Sequence, residues 1–171
     1  RKIDVNGKGM YIECTSPALG SELVTYGDFS LAGVGDFTAP YQSTIANVDN
    51  RLRVTATAAN PYAQAYFVAE IGKSYQLSVS HTANTSGKSW SAYVGSTTGL
   101  AKAEYGQIQF TVGNYVTKTL AFTATTTTVN LQLVGNSITV GDYTEWDNIS
   151  VKEVGLTSAT EPDWWPELVV N

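Results

Sequence analysis

The sequence is poor in the residues that most often carry catalysis. It has one cysteine and one histidine among 171 residues. Cys14 alone excludes an internal disulfide, and its setting, YIEC, predicts a small buried side chain rather than a reactive thiol. His81 continues an alternating face formed by Tyr75, Leu77 and Val79, so we expect it to be packed or to lie at the rim of a sheet. This shortage argues against an enzyme.

Charged residues and long apolar runs are also scarce. Only 15% of the residues are charged and the net charge is −5, while Lys and Arg never cluster beyond Arg51-Leu52-Arg53. We therefore expect no nucleic-acid partner. No apolar run approaches the roughly 18 residues of a transmembrane helix, so we expect no membrane insertion. No signal peptide is visible and the chain begins with Arg, so we expect a processed chain or a segment of a longer one.

Most of the chain alternates between apolar and polar residues. The stretches RLRVTAT, SYQLSVSH, QIQFTV, TKTLAFT and VNLQLV each place apolar residues on one face and polar residues on the other. This pattern predicts half-buried antiparallel strands. Turn-forming stretches such as AANP, IGKS and NTSGKS separate them, and no convincing amphipathic helix is present. The sequence therefore predicts an all-β, antiparallel β-sandwich.

We expect this sandwich to occupy residues 21–154, with a short arm at each end. Residues 1–20 contain a candidate hairpin, KIDVNGKGMYIEC, with Asn6-Gly7 as its turn. Residues 155–171 are punctuated by proline and carry Trp164 and Trp165. Two exposed indoles in a free tail are a solubility hazard, so we expect both tryptophans to dock on a neighbouring subunit as assembly contacts or on the sandwich itself.

Two segments resemble a known family. ELVTYGDFS (22–30) and EWDNISVKEV (145–154) are similar to the opening and closing motifs of carbohydrate-binding modules of the family four, nine and twenty-two type. AEIGKSYQLSVS, AYVGSTTG and TLAFTATTTTVNLQL resemble the strands between them. The resemblance implies a jelly-roll sandwich that is usually non-catalytic. Two departures stand out, because the family's Asn before GD is Tyr26 here and its GW tryptophan is absent.

The amino-acid sequences of these motifs resemble those of copies found in bacteriophage virion proteins. The arms also resemble phage sequences, because YIECTSPALG and SATEPDWWPE are similar to stretches of small repeats in phage tail and structural proteins. The resemblance implies a location on the surface of the virion. The implied partners are other virion proteins, such as capsid or tail subunits, and further copies of this chain.

Asp147 raises a question about charge. Strict alternation places it with Ile149 and Val151 on the apolar face, where an unpaired carboxylate is strongly unfavourable. The resemblance implies one structural Ca²⁺ between the first and last strands, bound by Asp147 and Asp28, since Ca²⁺ takes about six to eight oxygen ligands. The alternative is that Asp147 accepts hydrogen bonds from backbone N–H groups and a hydroxyl. No other cofactor is expected.

Sugar recognition needs flat aromatic rings and hydrogen-bonding amides or carboxylates. By alternation, Tyr93, Tyr66 and Gln64 point away from the core, and we expect loop aromatics to join them. Isolated surface tyrosines are nevertheless ordinary, and subunit interfaces also favour Tyr and Trp. The predicted loop aromatics are Trp90, Tyr105, Tyr62 and Tyr41, and the predicted amides are Gln107, Gln109, Gln132 and Asn130.

The carboxylates do not suggest a glycosidase. That chemistry needs two facing carboxylates about 5–5.5 or 6.5–9.5 Å apart, and no motif groups Glu70, Glu104, Glu145 and Asp142. The favoured interpretation is a non-enzymatic phage virion structural protein, either a capsid decoration or a fibre or tail component, that contacts host-surface glycans. The alternative is a soluble carbohydrate-binding module attached to a polysaccharide-degrading enzyme.

Overall fold

The computed structural model describes residues 2–5, 8–11, 18–84, 89–96, 103–111, 116–135 and 139–155. Cys14, Trp164 and Trp165 lie outside these residues. Within them every regular element is a strand. The strands are β1 (Lys2–Val5), β2 (Lys8–Tyr11), β3 (Ala18–Glu22), β4 (Thr38–Tyr41), β5 (Ser43–Asn47), β6 (Leu52–Ala56), β7 (Tyr62–Val68), β8 (Ser74–Asn84), β9 (Trp90–Gly95), β10 (Gly106–Phe110), β11 (Val116–Thr123), β12 (Thr128–Gly135) and β13 (Tyr143–Gly155).

The strands form two large antiparallel sheets. One is five-stranded with the order β10-β9-β12-β7-β4, and the other is six-stranded with the order β11-β8-β13-β6-β5, where β3 pairs with β13. The predicted all-β antiparallel sandwich, consistent with a jelly roll, is confirmed. Strands β1 and β2 pair with each other as a separate two-stranded sheet, where the sequence predicts a hairpin. No described helix is long and apolar enough to span a membrane.

The core lies between the inner faces of the two sheets. Alternation puts Leu77 and Val79 of β8 and Leu131 of β12 fully inside, as predicted. Large aromatics fill the remaining volume, with Phe110 and Trp146 meeting edge to face at 5.1 Å between ring centroids. Because both sheets contribute long apolar rows, this one core holds the two layers together.

The two layers also meet at one open edge. Lys118 of β11 donates from Nζ to the backbone oxygen of Gln109 on β10 at 2.6 Å. The same ammonium group lies 5.2 Å from the centre of the Phe110 ring. A charged lysine at this position discourages another strand from pairing with the edge.

The opening strand of the sandwich pairs with its closing strand. Strand β3 begins at Ala18, which pairs with Gly155 at the end of β13. The carboxylate of Glu22, also on β3, accepts hydrogen bonds from the backbone N–H of Val151 at 2.7 Å and from the Ser150 hydroxyl. The opening segment of the sandwich (22–30) and its closing segment (145–154) are therefore held together by hydrogen bonds.

A β-bulge in β13 corrects the prediction for Asp147. Asp147 pairs with Ser80 and Ser150 pairs with Ser78, so β13 has one extra residue at this point. Asn148 occupies the left-handed region with φ of +49°. The bulge reverses the alternation, so that Asp147 is half-buried and directed away from the core. The prediction that Asp147 faces the apolar side was wrong for this reason.

The buried carboxylate of β13 is Glu145, which is 6% exposed. Its oxygen Oε1 accepts a hydrogen bond from Arg53 Nε at 3.0 Å, and Oε2 lies 3.4 Å from Nη1 of Arg51. The Arg53 guanidinium group lies 4.3 Å from the centre of the Tyr143 ring. Arg53 on β6 and Arg51, which directly precedes that strand, therefore compensate the charge that burial would otherwise penalise.

Candidate functional site

The outward surface of the five-stranded sheet collects many of the predicted binding residues, and we call it the polar face. Strand pairing sets Gln107, Tyr93 and Gln132 side by side. The row continues from Gln132 to Gln64 on β7 and from Gln64 to Thr38 on β4. Three glutamines, one tyrosine and one threonine thus cross the sheet in a single line, although they come from five separate strands.

Further rows of the polar face add aromatic rings. Tyr41 pairs with Tyr62, and their ring centroids lie 6.0 Å apart at an interplanar angle of 31°. On the other side of the amide row, Asn130 pairs with Tyr66. Since a strand rises by about 3.3 Å per residue, Tyr62 and Tyr66 are separated by about 13 Å along β7. The face therefore carries aromatic groups on both sides of its amides.

The tyrosines of the polar face differ in accessibility. Tyr66 is 39% exposed and Tyr41 is 48% exposed, whereas Tyr93 and Tyr62 are nearly buried beside Val134. Burial raises the pKa of Tyr62, with smaller contributions from Tyr66 and Tyr41. Tyr66 and Tyr41 therefore offer accessible rings. Tyr93 and Tyr62 are buried and form the floor of the polar face.

The amides at the centre of this face are more enclosed than ordinary surface amides. Gln132 and Asn130 are almost fully buried, and Gln64 is 9% exposed. The Oε1 atom of Gln64 is buried and has no hydrogen-bond partner among the described residues. A buried acceptor in this state is unfavourable, and its burial keeps it out of direct reach of solvent.

The five strands of this sheet contain no Asp, Glu, Lys, Arg or His. The polar face therefore offers neutral hydrogen-bonding groups and ring faces, and its strands supply no carboxylate pair. Glu145, one of the carboxylates considered from the sequence, belongs to the other sheet. Such a surface matches an uncharged, hydroxyl-rich ligand better than an ionic one.

Trp90 is not a loop residue as predicted. It is the first residue of β9 and is fully buried in the core. The turn-forming stretch before it suggested a loop, but pairing of Trp90 with Gly135 and Phe110 places it inside the sheet. Its ring has no face available to a ligand from solution.

Tyr105 is held by the protein itself. Its ring stacks on Phe122 with centroids 5.7 Å apart and an interplanar angle of 8°. Its hydroxyl accepts a hydrogen bond from the backbone N–H of Thr125 at 3.1 Å and lies 3.0 Å from the hydroxyl of Thr126. Burial raises the pKa of Tyr105, but these hydrogen bonds outweigh it and leave the pKa below its ordinary value. One ring face is thus already taken, and Tyr105 serves the packing of the sandwich.

Other residues of the polar face were missed or misplaced by sequence reasoning. Ser91, Val134 and Thr38 lie in its rows but were not among the predicted residues. Tyr62 and Tyr41 were assigned to loops, although they belong to β7 and β4. Extending the alternation of Tyr93 back through WSAYVG would have placed Ser91 on the same face.

The carboxylates predicted to bind calcium have separate local partners. Asp28 Oδ2 lies 3.0 Å from the hydroxyl of Ser30, which donates to it, and Asp147 Oδ1 accepts the backbone N–H of Asn148 at 2.7 Å. Among the described residues no three or more His, Cys, Asp or Glu side chains converge as metal ligands do. The outward Asp147 also removes the charge problem that motivated the metal. A site that combines Asp28 and Asp147 with backbone carbonyls is not tested by these contacts, and calcium stays a prediction.

Thermal unfolding tests that prediction. If Ca²⁺ occupied a site at Asp28 and Asp147, it would stabilise the folded chain by mass action. Excess chelator would then lower the melting temperature, and Asp147→Asn would remove the effect of the chelator. An unchanged melting temperature of the wild-type chain after chelation would discard the calcium prediction.

Comparison with known proteins identifies the fold. No protein-family model matches the sequence, and no curated protein matches it. Among solved structures, the chain is similar to the CBM22-1 and GH10 modules of Clostridium thermocellum endo-1,4-β-D-xylanase complexed with xylohexaose, at 14% identity and a TM-score of 0.57. That match covers 86% of this chain and 30% of the xylanase chain.

Two further structures show the same likeness. One is a mutant of the carbohydrate-binding module CBM29-2 complexed with cellulohexaose, at 12% identity and a TM-score of 0.53, covering 79% of this chain and 90% of that one. The other is the enzymatically active domain of bacteriophage CBA120 tailspike protein 4, at 13% identity and a TM-score of 0.55. It covers 78% of this chain and 21% of the tailspike chain. The chain thus spans less than a third of the xylanase and tailspike chains, and it has the jelly-roll sandwich fold of carbohydrate-binding modules.

Proposed function

We propose that this chain is a non-catalytic carbohydrate-binding domain that holds a neutral polysaccharide on the polar face. The observation that carries the proposal is the row of Gln107, Tyr93, Gln132, Gln64 and Thr38 across five strands that contain no charged residue. The structural likeness to modules solved with xylohexaose and cellulohexaose supports the same ligand class.

The residues of the polar face have complementary roles in this proposal. The accessible rings of Tyr66 and Tyr41 pack against the apolar faces of sugar rings, which they can do because an aromatic ring is flat and only its hydroxyl is polar. The exposed Gln107 exchanges hydrogen bonds with sugar hydroxyls, while Gln132 and Gln64, which are almost fully buried, form the polar floor beneath the ligand. Tyr66 and Tyr62, beside which Tyr41 lies, are separated by about 13 Å along β7. This spacing suits a chain of several sugar units rather than one.

Isothermal titration with xylohexaose and cellulohexaose tests the proposal. We expect at least one of these ligands to bind, and Tyr66→Ala to weaken that binding about tenfold, because it removes an accessible ring from the site. Val68→Ala is a matched control, since Val68 is 77% exposed on the next outward position of the same strand. Absence of binding by both oligosaccharides, or equal loss in the two variants, would contradict this role of the polar face.

We further propose that the domain works on a bacteriophage particle, as a capsid decoration or as part of a tail or fibre. The resemblance of its motif sequences to phage sequences supports a location on the phage particle, as does the fold shared with a phage tailspike domain. Other virion proteins and further copies of the chain would be its partners, and host-surface glycans its ligand. Many copies on one particle would turn weak single contacts into firm attachment.

Immunogold labelling of purified particles with an antibody to residues 22–154 tests this setting. Label on heads would indicate capsid decoration, and label on tails or fibres would indicate host attachment. Unlabelled particles would favour the alternative, an accessory module of a polysaccharide-degrading enzyme, for which the likeness to modules of a xylanase is the supporting observation. A catalytic domain encoded in the same gene would point to that alternative directly.

A further inference from the structure

A second candidate site lies at the junction of the opening and closing segments. It is a cleft of about 440 Å³ whose polar lining includes Glu22, Tyr26, Asp28, Asn148 and Lys152. Glu22 lies on β3, and Asn148 and Lys152 lie on β13. Both strands belong to the six-stranded sheet, so the cleft is on a different sheet from the polar face. Its volume falls within the range of about 300–1,000 Å³ typical of small-molecule sites.

Tyr26 is the unusual residue of this cleft. Its φ is +55°, in the left-handed region that bulky side chains rarely adopt. Its side chain is 52% exposed, so the strained backbone does not serve to bury the ring. An asparagine, which tolerates this conformation, would fit the local backbone with less strain. An accessible aromatic ring held in a strained conformation at the edge of a cleft points to a role in binding.

The two walls of the cleft are fixed before any ligand arrives. The backbone oxygen of Gly27 accepts a hydrogen bond from the N–H of Ile149 at 2.8 Å. Glu22 Oε1 also accepts the backbone N–H groups of Leu23 and Val24, at 3.1 and 3.2 Å, in addition to that of Val151. A ligand therefore does not have to order these segments, which lowers the free-energy cost of binding.

The chemistry of the lining indicates the ligand. Tyr26 offers a flat apolar ring, Asp28 a carboxylate that accepts hydrogen bonds, and Lys152 an ammonium group that donates them. Both charge signs are present, so the lining does not select strongly for an anion or a cation. We propose that this cleft is a second saccharide site, which takes a terminal sugar ring packed against Tyr26. The inference rests on the proposed function, because it assumes that the chain binds glycans.

Amide chemical-shift mapping of the ¹⁵N-labelled chain tests the second site. Xylohexaose and cellulohexaose are titrated separately into the wild-type chain and into Tyr26→Asn and Tyr66→Ala. We expect shifts at Gly27, Asp28 and Asn148 in the wild type, with about tenfold weaker binding at these positions in Tyr26→Asn. Shifts on the polar face should persist in Tyr26→Asn. In Tyr66→Ala, binding at the polar face should be weaker, whereas the shifts at Gly27, Asp28 and Asn148 should persist. The spectrum of Tyr26→Asn also reports directly that the variant is folded.

The outcomes separate the two proposals. Shifts on the polar face without shifts at the cleft would overturn the second site and leave the proposed function standing. Shifts at the cleft that Tyr26→Asn does not weaken would also overturn the role of Tyr26 and with it the site. Shifts confined to the cleft would support the second site and contradict binding at the polar face. No shift at either place would overturn both.

Discussion

Gly27→Ala is expected to destabilise the sandwich by about 3 kcal/mol or more, enough to unfold much of a marginally stable chain. A Cβ atom at this position would lie 1.8 Å from the backbone oxygen of Ile149. The obstacle is backbone in a paired strand, not a flexible side chain. Relief requires the opening segment to move away from β13, which would break the hydrogen bond from Ile149 N–H to the oxygen of Gly27. The contacts of Glu22 with Ser150 and Val151 would be disturbed with it.

Urea unfolding of the two proteins measures the loss. Gly155→Ala is the matched control, because its Cβ would meet the backbone oxygen of Ala18 at 3.4 Å, which is ordinary contact. We expect this control to stay within about 1 kcal/mol of the wild type, as substitutions outside critical positions usually do. If Gly27→Ala were equally mild, the close approach of the two segments would not exist in solution.

Acidification is expected to weaken the fold through His81. The ring is 1% exposed, stacked on Phe110 at 5.3 Å and edge-on to Trp146 at 5.0 Å. Its Nε2 atom has no hydrogen-bond partner among the described residues. Burial, and secondarily the positive charge of Lys118, lower the pKa of His81 from 6.5 to about 4. The folded chain therefore resists the proton that the unfolded chain accepts.

The sign of the effect follows from this difference in proton binding. Well above pH 6.5 neither state carries the proton, so the contribution of His81 to stability is fully present. As the pH falls from 6.5 towards 4, the unfolded state binds a proton that the folded state does not, and the free energy of unfolding decreases. The loss over this window is at most about 3 kcal/mol, because each pKa unit corresponds to about 1.4 kcal/mol.

Urea unfolding at pH 6.5, 5.5 and 4.5 checks this expectation. His81→Phe is the control, because it keeps an aromatic ring and removes the chain's only histidine. The variant should show a flat profile between pH 6.5 and 5.5, whereas the wild type should lose stability there. Below about pH 5 the carboxylates of both proteins begin to titrate. A wild-type profile that is flat down to pH 5.5 would show that His81 is not buried as a neutral ring.

Local alternation was enough to predict the sandwich and the inner faces of strands such as β8 and β12. It failed at Asp147, because the bulge adds one residue to β13 and reverses the alternation beyond it. The local sequence gave little warning, apart from an asparagine, which tolerates the left-handed region. The prediction that Trp90 lies in a loop failed because it also depended on strand pairing. The burial of Trp90 follows from its position beside β12 and β10 rather than from its neighbours in the chain.

The candidate site was predictable residue by residue but not as a surface. Alternation correctly turned Tyr66, Gln64 and Tyr93 away from the core. That they share one face with Gln107 and Gln132 depends on the strand order β10-β9-β12-β7-β4. Strands β7 and β12 are neighbours in the sheet although about half the sandwich separates them along the chain. Such long-range pairing is not contained in any short motif.

The absence of charged residues from all five strands of one sheet also has a kinetic consequence. A surface without fixed charge does not steer a ligand electrostatically, so the rate of association with the polar face should change little between low and high ionic strength. Neutral sugars that fit well and neutral sugars that fit poorly would arrive at similar rates. Discrimination between them would then reside in how long each stays bound.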